Sequence, residues 1–386
     1  MEGPHSWPQH GVTPGKTNFL PDATGPASGI EVDWYHPGVD PSRFLLGRDG
    51  LFFDRVIDTG DGRYDVPASV TIDGDQQWER RDVAGVAVGV TEEAVLVVDR
   101  SEVRGLDHST GADVWNVSLP SAVQRAPTLA DDELLLPSED GIVAVDLTAR
   151  NDRWETEHAP MEAHEDPTWV TPAVGDEVIV TLDRDQAEGA PAVYGIARQS
   201  GELEWRLELA GDRRFAVQDH PVISEDQAFV LTRNEAAHLH AIDVEEGTLT
   251  WTCELPGYTL TAPAIGHGTL VIVVGSPNGD RTIAGVDGQR GEIRWTHELP
   301  TVYQTDLPAM LGEYAYVVVG EYLVAIHVED GTIAWEFSMV EWAADRGDTA
   351  ATYRNLWNAP LGPIAIEDRM FIWGAGGRGT FSFRSA

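Results

Sequence analysis

A tryptophan recurs at near-regular intervals along this chain, and that recurrence limits the architecture more than any single segment does. It falls at Trp34, Trp78, Trp115, Trp154, Trp205, Trp251, Trp295 and Trp335, with separations of 44, 37, 39, 51, 46, 44 and 40 residues. The stretch Ala284–Trp295, AGVDGQRGEIRW, shows the unit: Asp287 is followed by Gly291 four positions on and by Trp295 eight positions on. The same spacing joins Asp107, Gly111 and Trp115, and again Asp243, Gly247 and Trp251. With the acid replaced it returns as Val70, Gly74, Trp78, as Ala197, Gly201, Trp205 and as His327, Gly331, Trp335. Asp146 and Trp154 keep the spacing but carry Arg150 at the glycine position, and a looser copy, GIEVDW, ends at Trp34. A period of this size means an array of supersecondary units stacked side by side.

Between tryptophans the pattern is strand-like. Thr261–Val274, TAPAIGHGTLVIVV, reads as a Pro at a strand start, a turn at Gly266–Gly268 and a β-branched run. Short apolar runs broken by Gly, Asp and Asn read as hairpins. Each unit offers about four strands, the content of one propeller blade. The glycine that stands between the acidic position and the Trp suits a turn that needs positive φ. The Trp then begins the outer strand, where its ring is expected to dock structurally between neighbouring blades.

The repeat A-x-D-x-x-x-G-x-x-x-W resembles the tryptophan-docking repeat of quinoprotein-type propellers, the PQQ-repeat family, over nearly the whole chain. The opening SWPQHGVTPGKTNFLPDATGP looks like the start of its short members, typified by the outer-membrane assembly lipoprotein BamB. The resemblance implies an all-β fold: an eight-bladed propeller of four-stranded antiparallel blades. WD repeats fit less well because no WD dipeptide occurs, and kelch blades because Gly376-Gly377 is the only glycine pair of the needed kind.

Eight blades need nearly all 386 residues as one unit. The division expected is an arm, 1–29, packed on a single propeller, 30–386, with 30–34 completing the last blade. That closure removes the open edge a half-blade would leave. Trp7 and Phe19 are the arm residues expected to tuck against the disc. Two units carry long insertions, 157–169 with 183–191 in the fourth and 339–357 in the eighth, the latter read as containing a helical turn. Function concentrates in such loops on a rigid scaffold.

Charge excludes some partners. Asp and Glu total 64 against 26 Lys and Arg, a net charge of −38. An acidic, self-repelling surface argues against nucleic acid or anionic membrane and predicts a monomer. Spread evenly between strands, it looks like the surface of a halophilic protein, and predicts folding that requires molar salt. Cys253 is the one cysteine, so no intrachain disulfide forms. No stretch is long and apolar enough to span a membrane. No signal peptide is written in the sequence, so the chain reads as cytoplasmic, or extracytoplasmic if a leader has been removed.

Aligning strand starts through the x-A-P pattern brings a set of residues to one channel mouth: Arg125, Trp169, Asp219, Thr261, Asp306, Trp357 and Asn358. Convergent polar and aromatic groups in a concavity are the expected ligand site; the alternative is that they line a water-filled channel. Quinoprotein dehydrogenases, which share the repeat, hold their quinone between a Trp and a vicinal Cys-Cys disulfide, with calcium on carboxylate and amide oxygens. A single cysteine cannot make that clasp. The expectation is therefore no cofactor, with PQQ and calcium left open on Asp219, Asp306 and Asn358 alone. His158, His164, Glu165 and Asp166 match no metal motif, and His238 and His240 share one strand face as packing residues. The reading is a non-catalytic scaffold for a protein or peptide partner; the alternative is a quinone-dependent dehydrogenase or other small-molecule enzyme using the mouth.

Overall fold

The computed structural model describes residues 8–9, 12–36, 41–47, 50–58, 63–123, 127–138, 141–156, 171–182, 192–209, 214–215, 220–233, 236–259, 261–276, 280–299, 307–319, 322–345, 364–366, 369–373 and 380–386. They form eight sheets, each built on four antiparallel strands, with a short fifth strand added in three of them; in the first seven blades the four run in chain order from the axis outward. The innermost strands are Pro41–Gly47, Val86–Val90, Thr128–Ala130, Ala173–Val174, Val222–Ser224, Ala264–Gly266, Ala309–Leu311 and Ile364–Ile366. Each contacts the next, and the last contacts the first, so the sheets close into a ring. The expected eight-bladed propeller is present.

Closure uses the two chain ends. Ile30–His36 pairs antiparallel with Thr380–Ser385 and supplies the outer strand of blade eight. Pairing with the C-terminal strand removes an edge that would otherwise offer unpaired N–H and C=O groups.

The core lies between blades. Strands such as Thr269–Gly275 are buried on both faces and read as uninterrupted aliphatic runs, because each sheet is sandwiched by its neighbours. Outer strands alternate instead: Asp113–Ser118 turns Trp115 and Val117 inward and Asn116 and Ser118 outward.

The repeat explains the contacts between blades. Each outer strand carries a register shift at its Trp, as between Gly285 and Val286 opposite Trp295 and Ile293. Such a bulge bends the strand and re-aims one side chain. The residue opposite the Trp is small: Ser382, Ser69, Gly105, Ala144, Gly195, Ala241, Gly285 and Ala325 in turn. The indole then lies on the glycine of the next blade. A Cβ on Gly247, whose φ is 63°, would come within 2.4 Å of Trp205, and one on Gly291, φ 68°, within 2.5 Å of Trp251. The ring N–H donates to a turn carbonyl of that next blade: Trp205 to Val244 at 2.8 Å, Trp251 to Gly288 at 3.1 Å, Trp295 to Val328 at 2.9 Å. The acid that opens the turn caps it; Asp107 Oδ1 accepts from the Ser109 and Thr110 amides and hydroxyls. Those bonds, the Thr110 and Ser109 hydroxyls foremost, hold the Asp107 carboxyl down to about 2.

Two junctions depart from the spacing. In blade one the turn begins at Thr71, not Val70: the Gly74 amide donates to the Thr71 carbonyl, and Trp34 donates to Ile72. In blade eight the third and fourth strands come from opposite chain ends, so no docking turn joins them. Trp335 donates instead to the Pro26 carbonyl of the arm, at 2.7 Å. The helical turn expected in the eighth unit is Met339–Ala344.

Candidate functional site

The propeller has two unlike ends. Innermost strands begin at one end, the end at which the x-A-P alignment expects the mouth residues, and finish at the other. Of the aligned set, Arg125, Trp169, Asp219, Asp306, Trp357 and Asn358 lie outside the described residues, as do His158, His164, Glu165 and Asp166. Thr261 is described: it precedes Ala264–Gly266, is buried, and its hydroxyl has no hydrogen-bond partner among the described residues.

At the finishing end the arm crosses six blades. The amide of the same strand position is met in each: Val90 by the Pro8 carbonyl, Leu129 by Gln9 Oε1, Val174 by Pro14, Ile223 by Gly15, Ile265 by Thr17 and Met310 by Asn18, at 2.7–2.9 Å. These amides belong to the free inner edges of the sheets, which need partners when water is excluded. Close approach demands the arm's backbone. A Cβ on Gly15 would stand 2.3 Å from the Ile223 carbonyl oxygen, and Lys16 and Asn18 take φ of 61° and 51°. Phe19–Leu20 then pairs parallel to Met310–Leu311, a strand that the arm's lack of periodicity conceals. Phe19 lies against Gly266 and edge-on to His267; Trp7 is outside the described residues.

Lys16, the chain's one lysine, is fully buried beneath this crossing and donates to Gln9 Oε1 at 3.1 Å. His220 is buried at the head of blade five. Desolvation, and then the Lys16 charge, press its imidazole down to about 3, so it is neutral at every ordinary pH.

On the same end a groove of about 560 Å³ opens between blades two and three. Its inner end is the arm, at Gln9 and Val12; its floor is Trp115, Leu129 and Leu147. Glu92 and Glu93 rim one side, Asp131 and Asp132 the other. The groove sits where the repeat is broken. Arg150 takes the glycine's left-handed conformation, φ 58°, with the same amide-to-Asp146 turn bond as the glycines. At six other junctions a Cβ there would lie 2.4–3.2 Å from the indole. Arg150 has that Cβ, and Trp115 is the docking indole whose N–H finds no acceptor. The Arg150 guanidinium stands 5.7 Å from the Trp115 ring centre and pairs with Glu93 at 2.7 Å. The sequence showed Arg150 out of place; that the misfit leaves a groove required the neighbouring blade and the arm.

The described residues do not fit the quinone clasp. Cys253 is buried opposite Leu239 on Leu249–Glu254, a structural thiol whose pKa burial pushes up. Among the described residues no group of three His, Cys, Asp or Glu could hold a metal ion. His240 is sealed between the hydroxyls of Thr232 and Thr252, at 2.8 and 3.0 Å, and stacks near His238. No described helix is long and apolar enough to cross a membrane.

The fold recurs widely. BamB from Moraxella catarrhalis superposes with a TM-score of 0.62 at 14% identity, covering 92% of this chain and 100% of its own. Quinohemoprotein alcohol dehydrogenase ADHIIG from Pseudomonas putida HK5 gives 0.68 at 12% identity, over 99% of this chain and 80% of its own. The europium-containing methanol dehydrogenase gives 0.65 at 9% identity, over 99% and 98%. At such identities these likenesses concern the fold alone. None of the curated proteins matches the sequence. The sequence model described as outer membrane protein assembly factor BamB matches residues 64–218 and 191–355. With that match spanning most of the ring, and with blades docked by the tryptophan repeat, the chain belongs to the PQQ-like, BamB-type β-propeller family.

Proposed function

We propose that this protein is a non-catalytic scaffold that binds a protein or peptide partner, with 30–386 acting as one disc and 1–29 packed on it. The observation that carries the reading is the rim. The large hydrophobics exposed among the described residues are Val114, Leu203, Leu249 and Ile293. All four lie on outermost strands, Asp113–Ser118, Leu203–Glu208, Leu249–Glu254 and Ile293–Leu299, whose outer edges pair with no other strand among the described residues. An unpaired edge bearing aliphatics is what strand addition by a partner uses. The family's description as an assembly factor for outer membrane proteins favours the same class of role. The extreme negative charge sets the partner's complement: neutral or basic, and neither nucleic acid nor anionic lipid.

The competing enzyme reading takes its support from the fold shared with quinone-dependent dehydrogenases and would use Arg125, Asp306 and Asn358 at the mouth. Titrating the salt-folded protein with pyrroloquinoline quinone and calcium separates the two. Tryptophan fluorescence unchanged, and no dye reduction with alcohols, is the expected result. Saturable quenching with turnover that Arg125→Ala and Asp306→Ala abolish would overturn the scaffold. A photoreactive residue at Leu249 should cross-link the partner, with the same residue at buried Leu239 as the blank.

A further inference from the structure

We propose that the groove between blades two and three is a receptor for a basic, aliphatic-bearing peptide segment, with arginine beside leucine as its core; this rests on the scaffold reading and names the partner's chemistry.

The groove already shows what it accepts. One guanidinium, that of Arg150, lies over the Trp115 ring at 5.7 Å and pairs with Glu93 at 2.7 Å. That is the environment an incoming arginine needs: an aromatic face and a carboxylate together. The remaining charge is unbalanced. Asp131 is paired with Arg198 at 2.9 Å, but no cation among the described residues meets Glu92 or Asp132. The floor supplies Leu129 and Leu147, and the inner end Val12, for an aliphatic neighbour. At about 560 Å³ the space suits two or three side chains, not a flat protein face.

A second, independent mark is Trp115. It is 9% exposed, lies in the groove floor, and has an N–H without an acceptor among the described residues, whereas Trp78, Trp154, Trp205, Trp251 and Trp295 each donate to a carbonyl of the next blade. A small re-seating of the indole toward a bound peptide carbonyl would satisfy it. Arg150 thus acts as a resident competitor. Removing its side chain beyond Cβ keeps the indole displaced, bares the ring and frees Glu93.

The test is fluorescence anisotropy of a fluorescein-labelled octapeptide of alternating arginine and leucine, at the lowest salt that preserves the near-ultraviolet dichroism. The expected result is saturable binding, weakened at least fivefold in Glu92→Gln/Asp132→Asn and tightened at least fivefold in Arg150→Ala. Arg150→Gln, which keeps the stem, substitutes if the alanine variant does not fold. Glu177→Gln/Glu225→Gln, an equal charge change on the hairpins of blades four and five, should stay within twofold of the parent, and the citrulline analogue should bind at least fivefold more weakly. Equal weakening by both double variants would show attraction to the acidic surface at large and overturn the groove. So would no binding to either the parent or Arg150→Ala. Neither result touches the rim cross-linking or the quinone titration, so the scaffold reading is judged separately.

Discussion

Two junctions of the ring make the useful comparison: blade four on blade five, through Trp205 and Gly247, and blade two on blade three, through Trp115 and Arg150. Both have the same turn, with the amide at the fourth position donating to the carbonyl at the first: Gly247 to Asp243 and Arg150 to Asp146. Both have a glycine opposite the indole, Gly195 and Gly105. They differ by one Cβ and the side chain beyond it. With glycine the ring closes onto the turn and its N–H is bonded at 2.8 Å; with arginine the N–H is orphaned and a groove opens. The lesson is that the glycine is needed twice, for its positive φ and for the absence of a side chain. Arginine meets the first requirement with strain and fails the second.

The largest expected effect breaks the first junction. Gly247→Val should destabilise by roughly 3 kcal/mol or more, since it adds both left-handed strain and overpacking against Trp205. Arg150→Val should cost less than half as much, because a Cβ is already accommodated there. Denaturant midpoints measured side by side decide it; equal losses would mean that sterics at the indole are not the cause.

Acid separates the sealed arm from the open groove. His220 lies under the arm with a folded pKa of about 3, below its ordinary 6.5. Below pH 6.5 the unfolded state binds the extra proton, so this contribution is complete above that pH and falls as pH drops toward 3. The slope approaches about 1.4 kcal/mol per pH unit. His220→Gln should flatten the acid limb of the melting curve; an unchanged limb would show that water reaches the imidazole.

Smaller still is the hydrogen bond itself. Trp295→Phe should cost about 1 kcal/mol more than Trp115→Phe, because only the first breaks an indole bond, that to the Val328 carbonyl. Identical losses would mean that Trp115 has an acceptor after all. The smallest effect is Arg150→Gly. Relief of strain and a recovered N–H bond, against a lost cation–π contact and an exposed ion pair, leave a gain on the order of 1 kcal/mol or less. A clear loss in the melt would show that Arg150 stabilises the junction it distorts.

The legibility of this chain follows the same division. Tryptophan spacing located the outer strands and the count of blades, because every blade repeats one local solution: acid cap, positive-φ residue, bulge, indole. Alternation and turn residues gave the hairpins for the same reason; each is settled within about ten residues of chain. In blade one the spacing misplaces the turn by a single residue: only Val70 stands four positions before Gly74, yet the Gly74 and Asp75 amides both donate to Thr71, three positions before that glycine. The small residues opposite each indole, Ser69 or Ala241 for example, were visible only once strand pairing said which position faces the ring.

What the sequence alone determined is therefore the repeated unit and, through it, a closed all-β ring with an intensely acidic surface. What only the tertiary structure decided lies where residues distant in the chain meet. The arm meets six inner-strand amides because those edges converge on one end of the axis. Lys16 is dry because that convergence excludes water. Glu92, Trp115, Asp132 and Arg150 share a groove because neighbouring blades bring their turns to one face. No periodicity records such meetings. Local rules fix dihedral angles and turns, whereas a site is set by which turns the closed ring places side by side.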